Sequence, residues 1–294
     1  MIEQQLKLPD GRELCVGSYG PDDGQPVIAF HGTPGSHRMW RCGVEAAHTH
    51  GFRLIAADRP GYGGSTAHPG RTISTALADL AQVVSAYKLN RFGLLGVSGG
   101  TPFACSAAAH YGDRITALGL VSPLAPVAEA DMWPHLSLRD RLLFLHASRY
   151  PRTLSVASQP VTALIRRFPR AAFHITRLSA GSSDRALLGQ SDIAAIYVAD
   201  GIAGAADGLN GAITDLAIYG QPWGVDFAAI TAPSRLWIGS ADTIVPVNAA
   251  IALGHRIKGC EITRLPGAGH FWIFAAMPEI LAGLREKLDT RARA

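Results

Sequence analysis

Between residues 26 and 121 the chain repeats one pattern: a short, mainly apolar run that leads into a segment with glycine or proline. Pro26-Val27-Ile28-Ala29-Phe30 runs into His31-Gly32-Thr33-Pro34-Gly35, and residues 52–57 run into Asp58-Arg59-Pro60-Gly61. Residues 92–97 run into Ser98-Gly99-Gly100, and residues 115–121 into Ser122-Pro123. Apolar side chains at successive positions, rather than alternate ones, predict strands buried on both faces. The intervening segments predict helices at 39–50 and 73–87, the second from Leu77, Leu80, Val83, Val84 and Tyr87 at helical spacing. A small-residue segment at 105–110 is also compatible with a helix. Residues 3–19 read as two strands around the turn Pro9-Asp10-Gly11-Arg12. Strands alternating with helices in this way predict an α/β fold with a doubly wound, mostly parallel sheet.

The alternation stops near residue 124. Helical patterns follow at 136–150, 159–168, 170–179, 184–188 and 193–219, separated in part by prolines at 134, 151, 160, 169 and 222. Strand patterns return at 233–238 and 260–265, with helices at 247–257 and 277–287. The predicted organisation is therefore a core of residues 1–123 and 230–294, with a helical cap, 124–229, inserted before the strand at 233–238.

Candidate chemistry gathers at the ends of the predicted strands. Gly96-Val97-Ser98-Gly99-Gly100 has the form G-x-S-x-G, a strand-to-helix turn with a serine at its apex. Such a turn strains the serine backbone, needs glycine where strand and helix approach closely, and lifts the hydroxyl clear of the sheet. Asp242 follows the strand at 233–238, and His270 follows the strand at 260–265. In an open parallel sheet the carboxyl ends of the strands share one edge, which brings Ser98, Asp242 and His270 towards one another. A serine hydroxyl needs a base to take its proton, which His270 supplies near neutral pH. Asp242 is the acid that would fix the imidazole, with Asp131 as a rival.

Composition narrows the alternatives. Hydrophobic residues make up 48% and charged residues 17%, which fits a chain with a large core. A net charge of +4 with no basic, aromatic-rich stripe gives no reason to expect nucleic acid. No apolar run is long enough to span a bilayer, so no membrane insertion is expected. The start, Met-Ile-Glu-Gln-Gln-Leu, lacks a basic and apolar leader and predicts no secretory signal, hence a cytoplasmic location. Cys15, Cys42, Cys105 and Cys260 form no C-x-x-C and read as reduced, buried thiols. No metal-ligand spacing is evident, and neither metal nor cofactor is expected. Residues 139–185 carry nine arginines against Asp140 and Asp184, and residues 192–226 carry only acids, at 192, 200, 207, 215 and 226. These read as helix faces that pair with one another or meet water, or as a basic rim for an acidic ligand.

The ordered motifs His31-Gly32-Thr33-Pro34-Gly35, Asp58-Arg59-Pro60-Gly61-Tyr62-Gly63-Gly64-Ser65, Gly96-Val97-Ser98-Gly99-Gly100, Gly239-Ser240-Ala241-Asp242 and Gly267-Ala268-Gly269-His270 resemble the α/β-hydrolase superfamily, in its capped, esterase-like and peptidase-like branch. The resemblance implies the α/β-hydrolase fold, with Ser98, Asp242 and His270 as the catalytic residues. It also implies an oxyanion hole from the backbone N–H groups of Thr33 and Gly99. His31 and Gly32 would shape the oxyanion loop, Asp58 and Arg59 would hold the adjoining turn, and Phe271 and Trp272 stand next to the base. The implied activity is that of a serine hydrolase on a carboxylic ester or lactone of a small molecule. Prolyl aminopeptidase, amidase or C–C hydrolase chemistry on the same triad is the alternative, with the acids at 192–226 as candidates to hold a free amine. A ligand receptor without turnover is a third reading. A homo-oligomer is compatible with the sequence, and the oligomeric state stays open.

Overall fold

The structure, a computed structural model, describes residues 2–293. It opens with the hairpin of β1 (Ile2–Lys7) and β2 (Glu13–Tyr19), then β3 (Gln25–Phe30). A 3-10 turn at His37–Gly43 leads into α1 (Val44–Thr49), so the helix expected at 39–50 is present in two pieces. Next come β4 (Phe52–Ala57), α2 (Ile73–Ala86), β5 (Phe92–Val97), α3 (Thr101–Tyr111) and β6 (Ile115–Val121). Thr72 caps α2 reciprocally with Thr75, which sets where that helix begins.

Seven helices lie between β6 and the next strand: α4 (Leu138–Arg149), α5 (Pro151–Ala157), α6 (Gln159–Arg167), α7 (Pro169–Ser179), α8 (Ser182–Leu187), α9 (Ser191–Gly204) and α10 (Asn210–Tyr219). The sequence pattern predicts five. It misses α5, which Pro151 starts, and it joins α9 to α10 across a turn where Gly208 has φ +71°. A left-handed residue cannot continue a helix. The fold closes with β7 (Ser234–Gly239), α11 (Val247–Arg256), β8 (Glu261–Leu265) and α12 (Met277–Arg293).

The eight strands form one sheet in the order β1-β2-β4-β3-β5-β6-β7-β8. β2 is antiparallel to β1 and β4, and every other pairing is parallel. All positions of β5 and β6 are buried, which explains why both are apolar but for Thr116. One apolar cluster packs around α2, α3 and α11, and another around α1 and α12. The chain steps from β3 to β4, then crosses back over β3 to β5. The loops leaving β3 and β5 therefore diverge at the switch point of the sheet, where a crevice opens at the strand ends.

Candidate active site

Ser98 occupies the turn between β5 and α3 with φ +50°, in the left-handed region that side chains other than glycine rarely adopt. A Cβ at position 100 would fall on the carbonyl oxygens of Phe30 and His31, so only glycine lets the turn pass β3 this closely. Thr101 Oγ1 donates to the Ser98 carbonyl at 2.7 Å and fixes the start of α3.

Asp242 and His270 reach the same point from the ends of β7 and β8. His270 Nδ1 lies 2.7 Å from Asp242 Oδ2, and its Nε2 lies 3.1 Å from Ser98 Oγ. The N–H groups of Ile244 and Val245 donate to Asp242 Oδ1 at 2.8 and 3.0 Å, so that carboxylate is held from both sides. With the ring proton on Nδ1 facing Asp242, Nε2 is free to accept the serine proton. Ser98, Asp242 and His270 are all buried. The rival acid Asp131 sits elsewhere, 3.1 Å from Arg256.

The loop after β3 completes the site's floor. The Thr33–Pro34 peptide is cis, a point the sequence leaves open. His31 lies beneath the loop: its Nδ1 bonds the Gly32 carbonyl at 2.8 Å and its Nε2 accepts the Arg59 N–H at 3.1 Å. Burial, aided by the Arg59 charge, holds its imidazole down at about 3, so the ring is neutral. Arg59 was expected only to hold its own turn. Its guanidinium also donates to the carbonyls of His31 and Gly32 and to Thr33 Oγ1.

Two residues of α10 stand behind this loop, Asp215, which the sequence offers only among the acids that could hold a free amine, and Tyr219. Asp215 is fully buried and forms ion pairs with Arg59 at 2.8 Å and Arg71 at 2.7 Å. Burial opposes its charge, but the two arginines outweigh burial and hold the carboxyl at about 2. The Tyr219 hydroxyl donates to the Gly99 carbonyl at 2.6 Å and lies 2.7 Å from Thr33 Oγ1. It thus bridges the two residues named as oxyanion donors. The available sequence signal was a polar pair at i and i+4, which Asn210 and Thr214 of the same helix also form.

A cavity of about 200 Å³ opens over Ser98 and His270, bordered by Gly32, Thr33 and Phe271. Thr176 of α7 and Tyr197 and Asp200 of α9 complete its polar wall. Trp272, expected beside the site, turns away: its Nε1 donates to Ser122 Oγ at 3.0 Å and its ring packs in the core. Two larger hollows, of about 520 and 560 Å³, touch none of Ser98, Asp242 and His270. Size alone does not pick out the site.

All four cysteines are free. Glu3, Cys15 and His37 each bring a ligand-type atom within 4.8 Å of the others, a grouping that no sequence spacing signals because it spans separate elements. The His37 ring is held between Asp58 at 3.0 Å and Glu3 at 3.1 Å. Among the described residues, no helix is long and apolar enough to cross a membrane.

The model of the alpha/beta hydrolase fold family matches residues 25–275. A putative non-heme chloroperoxidase from Synechocystis is 26% identical over 251 residues, 84% of this chain and 85% of that one. A non-heme chloroperoxidase from Streptomyces lividans is 35% identical over 120 residues, 40% of this chain and only 44% of that one. Among solved structures, a thermophilic esterase from Thermogutta terrifontis superposes with a TM-score of 0.72 at 22% identity, covering 99% of both chains.

Proposed function

The chain belongs to the alpha/beta hydrolase fold family, and from that premise we propose that it is a serine hydrolase that cleaves a carboxylic ester or lactone through an acyl-enzyme on Ser98. The supporting observation is the chain of contacts from Ser98 Oγ to His270 Nε2 at 3.1 Å and from His270 Nδ1 to Asp242 Oδ2 at 2.7 Å. Ser98 Oγ attacks the acyl carbon while its proton passes to His270 Nε2. Asp242 holds the ring and stabilises the imidazolium. The negative charge on the carbonyl oxygen is received by the N–H groups of Thr33 and Gly99. Collapse of the intermediate expels the alcohol, which takes the proton from His270. Water then repeats the sequence: its proton goes to His270, its oxygen attacks the acyl carbon, and the acid leaves as Ser98 is reprotonated.

Residues 124–229 are proposed to act as a cap that walls the cavity through α7 and α9 and limits water. The hydroxyl at position 98 favours acyl transfer over epoxide opening, which in this fold uses a carboxylate nucleophile. Cleavage of an amide or a C–C bond on the same triad differs only in the leaving group. The test is a fluorophosphonate probe followed by peptide mapping, with turnover of p-nitrophenyl acetate as the second readout. Label on Ser98, absent in Ser98→Ala, with hydrolysis in the first protein only, is the expected result. Hydrolysis that survives in Ser98→Ala would overturn the assignment.

A further inference from the structure

Strands β1 and β2 pair so that Glu3 stands opposite Gly17 and Gln5 opposite Cys15. Residues two apart on a strand share a face, so Glu3, Cys15 and position 17 lie on one side of the hairpin. Position 17 has no side chain, and the ring of His37 takes that space: a Cβ there would fall on His37 Cδ2. His37 arrives from the loop after β3, and its placement is fixed from three directions. Its backbone N–H donates to Asp58 Oδ1 at 2.6 Å, its carbonyl accepts from the Tyr19 hydroxyl at 2.8 Å, and its Nδ1 lies 3.0 Å from the same Asp58 oxygen.

A carboxylate against Nδ1 is how proteins present a histidine to a metal, because it fixes the ring and turns the other nitrogen outward. Here Nε2 points at the hairpin, 3.1 Å from Glu3 Oε2, and the Cys15 sulfur completes a group whose ligand atoms lie within 4.8 Å of one another. Around one tetrahedral ion, ligand atoms at 2.0–2.3 Å stand about 3.3–3.8 Å apart. The remaining approach is therefore about 1 Å or less. Thiolate, imidazole and carboxylate together suit zinc; magnesium and calcium prefer oxygen alone. Cys15, His37 and Asp58 are buried, while Glu3 is exposed and gives an ion its way in. Arg38 stands 3.6 Å from the same Glu3 oxygen, beyond hydrogen-bond reach, and its exposed side chain can give way.

We propose that Glu3, Cys15 and His37 bind one zinc ion, with water in the fourth position and Asp58 holding the histidine. On binding, the Cys15 thiol gives up its proton to solvent, and the ion takes the place of any proton on His37 Nε2. The ion fastens the edge hairpin of the sheet to the loop that carries Thr33, three elements that are otherwise joined here by side-chain contacts alone. Nothing in this inference depends on the acyl-transfer reading, since the three ligands are not among the residues that border the Ser98 cavity.

The test strips the full chain with EDTA, removes the chelator, and titrates it with Zn²⁺ alone and, separately, with Co²⁺ alone. Calorimetry should count one zinc ion per chain. The melting temperature should rise by about 3–6 °C at a roughly hundredfold excess of zinc over Kd. Cobalt should show a thiolate-to-metal charge-transfer band in the near ultraviolet. Cys15→Ser should lose that band, and Cys260→Ser should keep it. Glu3→Gln, at an exposed position, should weaken zinc binding by about tenfold or more. No zinc-dependent rise and no band in the unaltered chain overturn the proposal. So does a band that survives Cys15→Ser, or a zinc affinity unchanged in Glu3→Gln. Should Cys15→Ser fail to fold, the Glu3→Gln comparison decides.

Discussion

The carboxylate of Asp184 accepts the backbone N–H of His270 at 2.8 Å and that of Phe271 at 2.9 Å. Asp184 lies in α8, between β6 and β7, and it is buried. The backbone of the predicted base is thus held by a side chain from the helical insertion, while its ring is held by Asp242 from the end of β7. A base positioned from both sides keeps its lone pair on Ser98; one released on its backbone side does not.

Asp184→Ala leaves two buried N–H groups without an acceptor. We expect a loss of about 2–4 kcal/mol in stability and a fall in kcat of about tenfold or more, since small misplacements of a base are costly. Asp184→Asn keeps one acceptor oxygen and should recover part of both. Thermal melting and steady-state kinetics on the three proteins check this. A lowered melting temperature with unchanged kcat would limit Asp184 to a structural role.

Gly269 packs against the same carboxylate, and a Cβ there would fall on the Asp184 side-chain atoms. Gly269→Ala should therefore reproduce the Asp184→Ala phenotype without removing any polar group. A variant that melts and turns over like the parent would show that the loop has room to shift.

Tyr219→Phe removes the hydroxyl that donates to the Gly99 carbonyl and lies beside Thr33 Oγ1. The loss leaves a buried carbonyl short of a partner, at about 1–3 kcal/mol. Because both proposed oxyanion donors sit on the backbone that this hydroxyl tethers, kcat should fall by about three- to thirtyfold with KM little changed. A change confined to KM would place Tyr219 in substrate binding instead.

Acid should weaken the fold through Asp215. Its folded-state carboxyl is held at about 2, below the ordinary value of 3.8. A depressed carboxylate binds its proton less readily in the folded chain than in the unfolded one. Its contribution, about 2 kcal/mol, is therefore present above pH about 4 and lost as the pH falls towards 2. Denaturant melts at pH 6, 4 and 2.5 should show that loss, and Asp215→Asn should flatten its share of the slope. The amide cannot answer Arg59 and Arg71, so the variant should also be less stable at pH 6, by about 3–5 kcal/mol.

Asp242→Asn should lower kcat by about 10⁴-fold, because an amide can hold the imidazole in the wrong tautomer. Rapid-quench or stopped-flow assays with an activated ester would measure it; a loss of less than tenfold would transfer the acid's role elsewhere.

What the sequence alone determined was local. Mainly apolar runs marked β3 to β7 to within a residue or two, because a strand buried on both faces records its environment at most positions. The glycines around Ser98 marked the turn, because the close approach of β3 excludes any side chain at position 100. Chain order and strand ends were enough to bring Ser98, Asp242 and His270 to one edge, since parallel strands present their carboxyl ends together. Tertiary structure alone decided which acids of the insertion matter. Asp184, Asp200 and Asp215 look like surface charges in sequence, as do Asp192, Asp207 and Asp226. The first three are buried and the last three exposed, and only the packing of α8, α9 and α10 against the strand ends separates them. The same packing chose between Phe271 and Trp272 and drew Tyr219 onto the loop of Thr33. A helix pattern fixes which residues share a face, but the partner that covers the face comes from distant parts of the chain, and the pattern carries no record of it.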